Sequence, residues 1–301
     1  MSEHEIRTVA ILGAGAMGAM YAHHFAGRGI ETWLVASGER AVRLRNQGLT
    51  VNDEPLDARV IDPGADRPGL ADLVMVAVKH QQLDEALAEV APLVGAQTTF
   101  LSVLNGLDSE EAIAAAFGPE RVLLCIALAM DAERSGTEVA FRQAGRLALG
   151  TGAGKGTGGR LAAVQRVLDR AGLAWVAPDD MEHEMWWKFM VNVGVNQASA
   201  VRRTGYGDFQ HDGPGRSLMM ALIDEVVAVA AAEGITLDQA DRAKWDSVLA
   251  GQPGEGRTSM LQDVLADRPT EVGIFAGRVV ALGQRHGIPT PYNQAMLWSL
   301  S

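Results

Sequence analysis

The chain has 301 residues, room for two domains at about 100–200 residues each, and its 48% hydrophobic and 21% charged residues exclude intrinsic disorder as its overall state. With 26 Lys and Arg against 37 Asp and Glu, the net charge is −11, which argues against nucleic acid as a partner. Cys125 is the one cysteine, so an intrachain disulfide and a Cys-rich metal site are both excluded.

The first residues hold acids where a secretory signal needs a basic patch. The seven His lack a metal-ligand spacing such as HExxH, so no metal is expected. The longest plain apolar run, 122–130, falls well short of the ~20 residues that span a bilayer. The expectation is a cytoplasmic protein with no membrane partner.

Thr8 to Leu12 reads as a buried strand, followed by glycines at 13, 15 and 18, a helix over 19–26 and a second strand over 31–36. Strand, turn, helix and strand within about 30 residues make one βαβ unit. Leu73 to Val78 is almost wholly apolar, the pattern of a parallel strand covered on both faces. Helices are expected over 81–93 and 109–117, and strands over 98–104, 122–130 and 146–149. A glycine-rich stretch over 151–159 lacks the GxxxxGK[ST] order of a phosphate loop and reads as a surface loop. A helix over 161–171 and a strand over 173–176 close this half. From Met181 onward the patterns are helical: 181–200, 214–233, one from about Leu237, 259–265 and 271–286. The fold class is α/β: a doubly wound dinucleotide-binding domain over 1–179, then an all-helical substrate domain over 180–301.

Gly13-Ala-Gly-Ala-Met-Gly18 lies directly after a strand and opens a helix. Gly13 permits the tight turn, Gly15 lets the backbone approach a pyrophosphate, and Gly18 lets the helix pack close to the strand. Gly13, Gly15, Ala16, Met17 and Gly18 are therefore the candidate cofactor residues. An NAD enzyme usually places Asp or Glu at the end of the second strand. Here Ser37 and Arg40 follow it instead, and they favour NADP(H), with Ser37 donating to a 2′-phosphate and Arg40 neutralising it. Arg43 and Arg45 read as a solvated helix face. Lys79, at the carboxyl end of a strand, sits where doubly wound sheets bind ligands.

Lys188, Asn192 and Asn196 are spaced by four residues, so an α-helix presents all three on one face. An ammonium beside a nicotinamide suits carbonyl reduction, because it stabilises and protonates the oxygen that receives charge. Burial would lower its pKa toward neutrality.

These motifs resemble the ketopantoate reductase family, the NADPH-dependent 2-dehydropantoate 2-reductases. The resemblance covers essentially the whole chain: GAGAMG at 13–18, Val78-Lys79, Asn105-Gly106, WKFMVNVGVN at 187–196, Ser259-Met-Leu-Gln-Asp263, Thr270-Glu271 and HGIPTP at 286–291. It implies an N-terminal Rossmann domain, a helical domain and an active site between them. It further implies Lys188 as general acid and Glu271 as its assistant. Asn192 and Asn196 would hydrogen-bond the substrate's oxygens, and Ser259 would bind its carboxylate. Lys79 and Asn105 would lie near the nicotinamide ribose and the cleft, and Asp263 would be a structural partner. The implied reaction is reduction of ketopantoate to pantoate, toward pantothenate and coenzyme A.

The chain departs from the family pattern at Ser37, where Arg is common, and at Gly273, Ala276 and the segment before Gly145. Two alternatives stay open: reduction of another small 2-keto acid on the same scaffold, and a non-catalytic NADP-binding sensor. The apolar helical half is compatible with a homodimer.

Overall fold

The structure is a computed structural model that describes residues 5–152 and 158–301. Lys155, in the expected surface loop, lies outside the described residues. The chain divides into two compact units. The first comprises residues up to Leu104 with Asp108–Met181, and the second Asn105–Leu107 with Glu182–Ser301. The sequence expectation put residues 105–107 with the first half.

In the first unit the strands are β1 (Thr8–Leu12), β2 (Glu31–Val35), β3 (Thr50–Val51), β4 (Glu54–Pro55), β5 (Arg59–Ile61) and β6 (Ala71–Val76). They continue with β7 (Val94–Ser102), β8 (Val122–Leu128), β9 (Glu133–Ser135), β10 (Glu138–Ala140), β11 (Arg146–Gly150) and β12 (Ala174–Val176). The helices are α1 (Ala16–Ala26), α2 (Gly38–Gln47), α3 (Leu83–Val90), α4 (Asp108–Phe117) and α5 (Gly158–Ala171).

Eight strands form one sheet in the order β12-β11-β8-β7-β6-β1-β2-β5. The run β5-β2-β1-β6-β7-β8 is parallel throughout and has the strand order of a dinucleotide-binding sheet. The apolar runs follow from burial on both faces. In β1, Val9 and Ile11 enter one core with Met20, Tyr21 and Phe25 of α1. Ala10 and Leu12 enter the other with Leu83 and Leu87 of α3 and Ile113 of α4. Cys125 of β8 is 1% exposed in the first of these cores.

A second sheet, β4-β3-β10-β9, has no counterpart in the sequence reading, because strands of two or three residues show no period. Its Val51 and Val139 join the core that holds α1.

The second unit is helical: α6 (Met181–Val191), α7 (Gln197–Arg202), α8 (Gly207–Gln210), α9 (Pro214–Ala232), α10 (Gln239–Ala250), α11 (Ser259–Leu265), α12 (Arg278–His286) and α13 (Pro291–Leu300). The expected helix over 181–200 is interrupted by a π-turn at Asn192–Asn196, and the one expected over 271–286 starts instead with a π-turn at Gly273–Gly277, residues 271 and 272 lying outside any helix. A Cβ on Gly194 would come within 2.7 Å of Ile223, so this glycine lets α9 press against the first π-turn. Among the described residues no helix is long and apolar enough to cross a membrane.

Candidate functional site

The glycine-rich turn occupies the carboxyl end of β1, as the sequence requires. Gly13 has φ +99°, and a Cβ there would lie 2.6 Å from the Ala77 carbonyl oxygen. At Gly18 a Cβ would come within 1.8 Å of the Gly13 carbonyl oxygen, so α1 seats directly on the turn. A Cβ on Gly15 meets no atom within 4 Å. Gly15 is also the N-cap of α1 and offers no side chain to the first-turn amides of Ala16, Met17 and Gly18. The helix start thus presents N–H groups and a positive dipole end to open space, a fit for a pyrophosphate.

Beside this turn lies a cavity of about 350 Å³, lined by Gly13, Gly15, Val35, Ala36, Val78 and, among its charged groups, Arg40, Arg43, Lys79 and Arg134. Among the described residues, four cations and no carboxylate line it. Arg43 is solvent-exposed on α2, as read from the sequence, yet it also faces the cavity. Arg45 turns to Asp66 at 2.5 Å. The guanidinium of Arg40 donates to Glu89 at 2.5 Å, so it reaches the cavity already partnered. Ser37 is exposed and lies outside the lining. The Gly38 N–H beside it donates to Asp62 at 3.1 Å. Arg134, which sequence reasoning missed, comes from β9 and donates to the Ala14 carbonyl in the glycine turn.

The second set of residues belongs to the helical unit. Asn105 Nδ2 donates to Glu271 Oε2 at 3.0 Å, and both side chains are half-buried. Asn105 is thus partnered by Glu271 within the second unit. Thr270 holds this segment by donating to the Leu300 carbonyl at 2.9 Å. Lys188 is half-buried in the last turn of α6. Its neighbour Phe189 meets Phe275 of the second π-turn with ring centroids 6.4 Å apart, which brings the helix of Lys188 against the segment that follows Glu271.

The first π-turn changes the expected helix face. A π-turn closes i→i+5 bonds, so a four-residue step falls short of a full turn and the α-helical drift reverses. Asn192 is half-buried, whereas Asn196 is 7% exposed. The Asn196 carbonyl accepts from Ser199 Oγ, which in turn lies 2.5 Å from Thr258 Oγ1. Thr258, not Ser259, caps α11, accepting from the Leu261 N–H at 3.2 Å. Ser259 is left exposed next to it. Asp263 pairs with Arg268, just past the end of α11, at 2.8 Å.

Comparison with known proteins agrees with this architecture. The family described as "Ketopantoate reductase PanE/ApbA" matches residues 9–154, and its C-terminal counterpart matches residues 180–300. The chain belongs to the ketopantoate reductase family. The family comprises oxidoreductases acting on a CH–OH group. A 2-dehydropantoate 2-reductase of Vibrio cholerae is 27% identical over 96% of this chain and 95% of its own. The 2-dehydropantoate 2-reductase structure from Geobacter metallireducens is 26% identical, covers 97% of this chain and 98% of its own, and superposes with a TM-score of 0.84. A ternary complex of D-mandelate dehydrogenase with NADH and anilino(oxo)acetate is 24% identical, covers 97% and 96%, and gives a TM-score of 0.85; this likeness bears on the fold alone.

Proposed function

We propose that the chain is an NADPH-dependent reductase that converts ketopantoate to pantoate, a step toward pantothenate and coenzyme A. The cavity beside the glycine turn carries this reading: the four cations that line it suit a ligand with a pyrophosphate and a further phosphate. Gly13, Gly15, Ala16, Met17 and Gly18 would receive the pyrophosphate, Lys79 the ribose side, and Arg43 with Arg40 the 2′-phosphate. Ser37 would contribute at most its hydroxyl from the rim.

The nicotinamide, when bound, supplies a hydride to the keto carbon. Lys188 donates a proton to the carbonyl oxygen as that oxygen takes on charge, and the neutral amine then regains a proton from solvent. Glu271, held by Asn105, orients the lysine or the substrate hydroxyl. Asn192 and Asn196 donate to the substrate's oxygens, and Ser259 binds its carboxylate. A homodimer belongs to this reading, since α13 leaves Tyr292 and Trp298 exposed at 50% and 77%; light scattering tests it.

The test is loss of reduced-nicotinamide absorbance with ketopantoate, run with NADPH and with NADH beside a panel of 2-keto acids. Turnover faster with NADPH and ketopantoate than with any other pair is the expected result. Binding of NADPH with no turnover of any keto acid would refute the enzyme and favour a sensor. NADH use is the second reading, and two observations favour it. Glu89 already holds Arg40, and the Asp62 carboxylate stands at Gly38, where it would repel a 2′-phosphate. Equal or better kcat/KM with NADH would establish it.

A further inference from the structure

Gln197 is fully buried, at 0% exposure, at the point where the first π-turn gives way to α7. Its side chain makes three hydrogen bonds. Nε2 donates to the Val193 carbonyl at 2.8 Å, inside the first π-turn, and to Asn293 Oδ1 at 3.0 Å. Oε1 accepts from the Ala276 N–H at 3.1 Å, inside the second π-turn. A π-turn shifts the helical hydrogen-bond ladder and leaves backbone groups in need of partners. One amide serves such a group in each of the two π-turns.

Every role in this network is fixed by chemistry. A backbone carbonyl only accepts and a backbone N–H only donates, so the Gln197 amide has one orientation. Asn293, also 0% exposed, must then turn its oxygen to Gln197. Its Nδ2 donates to Glu225 at 2.7 Å. Glu225 on α9 is anchored in turn by the Tyr292 and Asn293 N–H groups at 2.8 and 2.9 Å, at the start of α13. The brace thus runs from α9 through α13 to both π-turns. Asn192 and Asn196 lie on the first π-turn, and Glu271 lies two residues before the second.

We infer that Gln197 is a positioning residue, which fixes Asn192 and Asn196 relative to Glu271 by bracing the two π-turns. The functional consequence rests on the proposed reading that these three side chains hold a keto acid; the bracing itself does not. Displacing a binding group by about 1 Å from a remote site can cost about 100-fold in rate.

The test compares Gln197→Met, which keeps the length of the side chain and removes its polar atoms, with Gln197→Glu, which keeps an acceptor. Leu249→Ala on α10, a buried site outside the network, serves as the matched destabilised control. Amide hydrogen exchange over 273–277 should accelerate at least tenfold in Gln197→Met and stay unchanged in Leu249→Ala. The kcat/KM for ketopantoate should fall about 100-fold with the Kd for NADPH within twofold of the parent. Gln197→Glu, whose buried carboxyl faces the Val193 carbonyl and Asn293 Oδ1 and so stays protonated at neutral pH, can both donate and accept and should recover part of that loss until rising pH ionises it. Unchanged exchange at Ala276 would overturn the brace, whether or not ketopantoate is turned over. Altered exchange with kcat/KM no lower than in Leu249→Ala would overturn its positioning role. If Gln197→Met does not fold, Gln197→Glu at alkaline pH, where the carboxyl is ionised and unable to donate, decides both readouts.

Discussion

The three glycines of the turn predict three different outcomes for the same added methyl group. Gly15→Ala is the informative one. Gly15 has φ −76°, a value any residue adopts, and its Cβ meets no protein atom within 4 Å. Its effect on stability should lie within about 1 kcal/mol, because alanine narrows the unfolded ensemble while capping the helix less well than glycine. The methyl nevertheless enters the space over the open amides of α1. Loss of one or two hydrogen bonds to a charged pyrophosphate costs about 1.5–3 kcal/mol each, so the Kd for NADPH should rise about 10-fold to 100-fold or more. Gly18→Ala must instead push α1 off a backbone oxygen only 1.8 Å from the new Cβ, an overpacking that costs about 1–3 kcal/mol or more. Gly13→Ala adds positive-φ strain to a 2.6 Å approach. Thermal unfolding of each variant separates the two effects when paired with calorimetric titration of NADPH. Gly15→Ala binding NADPH as tightly as the parent would refute the cradle. So would Gly15→Ala losing as much stability as Gly18→Ala.

Lys188→Ala should lower kcat by about 100-fold to 10,000-fold, the usual worth of a general acid, with the Kd for NADPH unchanged by titration. Asn105→Ala removes the donor to Glu271 and should lower kcat/KM for the keto acid about 10-fold to 100-fold; an unchanged value in steady-state kinetics would remove the pair from the site. Arg43→Ala should weaken NADPH about tenfold and leave NADH unchanged, whereas Arg40→Ala should do less because Glu89 already holds that guanidinium. Asp208 is held below the ordinary carboxylate value, first by the hydrogen bond from Arg202 at 2.5 Å and then by Thr204. The ionised form is therefore favoured on folding, and its contribution is present at neutral pH and lost as pH falls through the depressed value. Asp208→Asn should melt a few degrees below the parent at pH 7, and the gap should close below about pH 4.

What the sequence made legible follows from local physics. β1 and β6 were plain because parallel strands buried on both faces read as unbroken apolar runs. The glycine turn was plain because each glycine has a different steric reason to be there. Contacts between distant positions were not legible. Arg134 meets Ala14 from 120 residues away, and Asn105 meets Glu271 across 166. Nothing local marks either pair. The π-turns were hidden for another reason: a polar residue every fourth position looks the same whether the helix closes at i+4 or i+5. Gln197 therefore passed for one more residue of a long helix. The last helix, α13, was missed because its exposed Tyr292 and Trp298 spoil the apolar stripe that announces an amphipathic segment.

Cys125 turns this architecture into a clock. It is the chain's only thiol, and strand β8 seals it in the core that α1 covers. A thiol reagent can reach it only when that part of the sheet opens, so labelling of the native protein times that opening without any engineered probe. A nucleotide that binds the closed form alone should slow the clock by a factor of 1 + [L]/Kd. At a hundred times Kd the labelling should run about a hundredfold slower, and the ratio between two nucleotides would rank their affinities with no substrate in the tube.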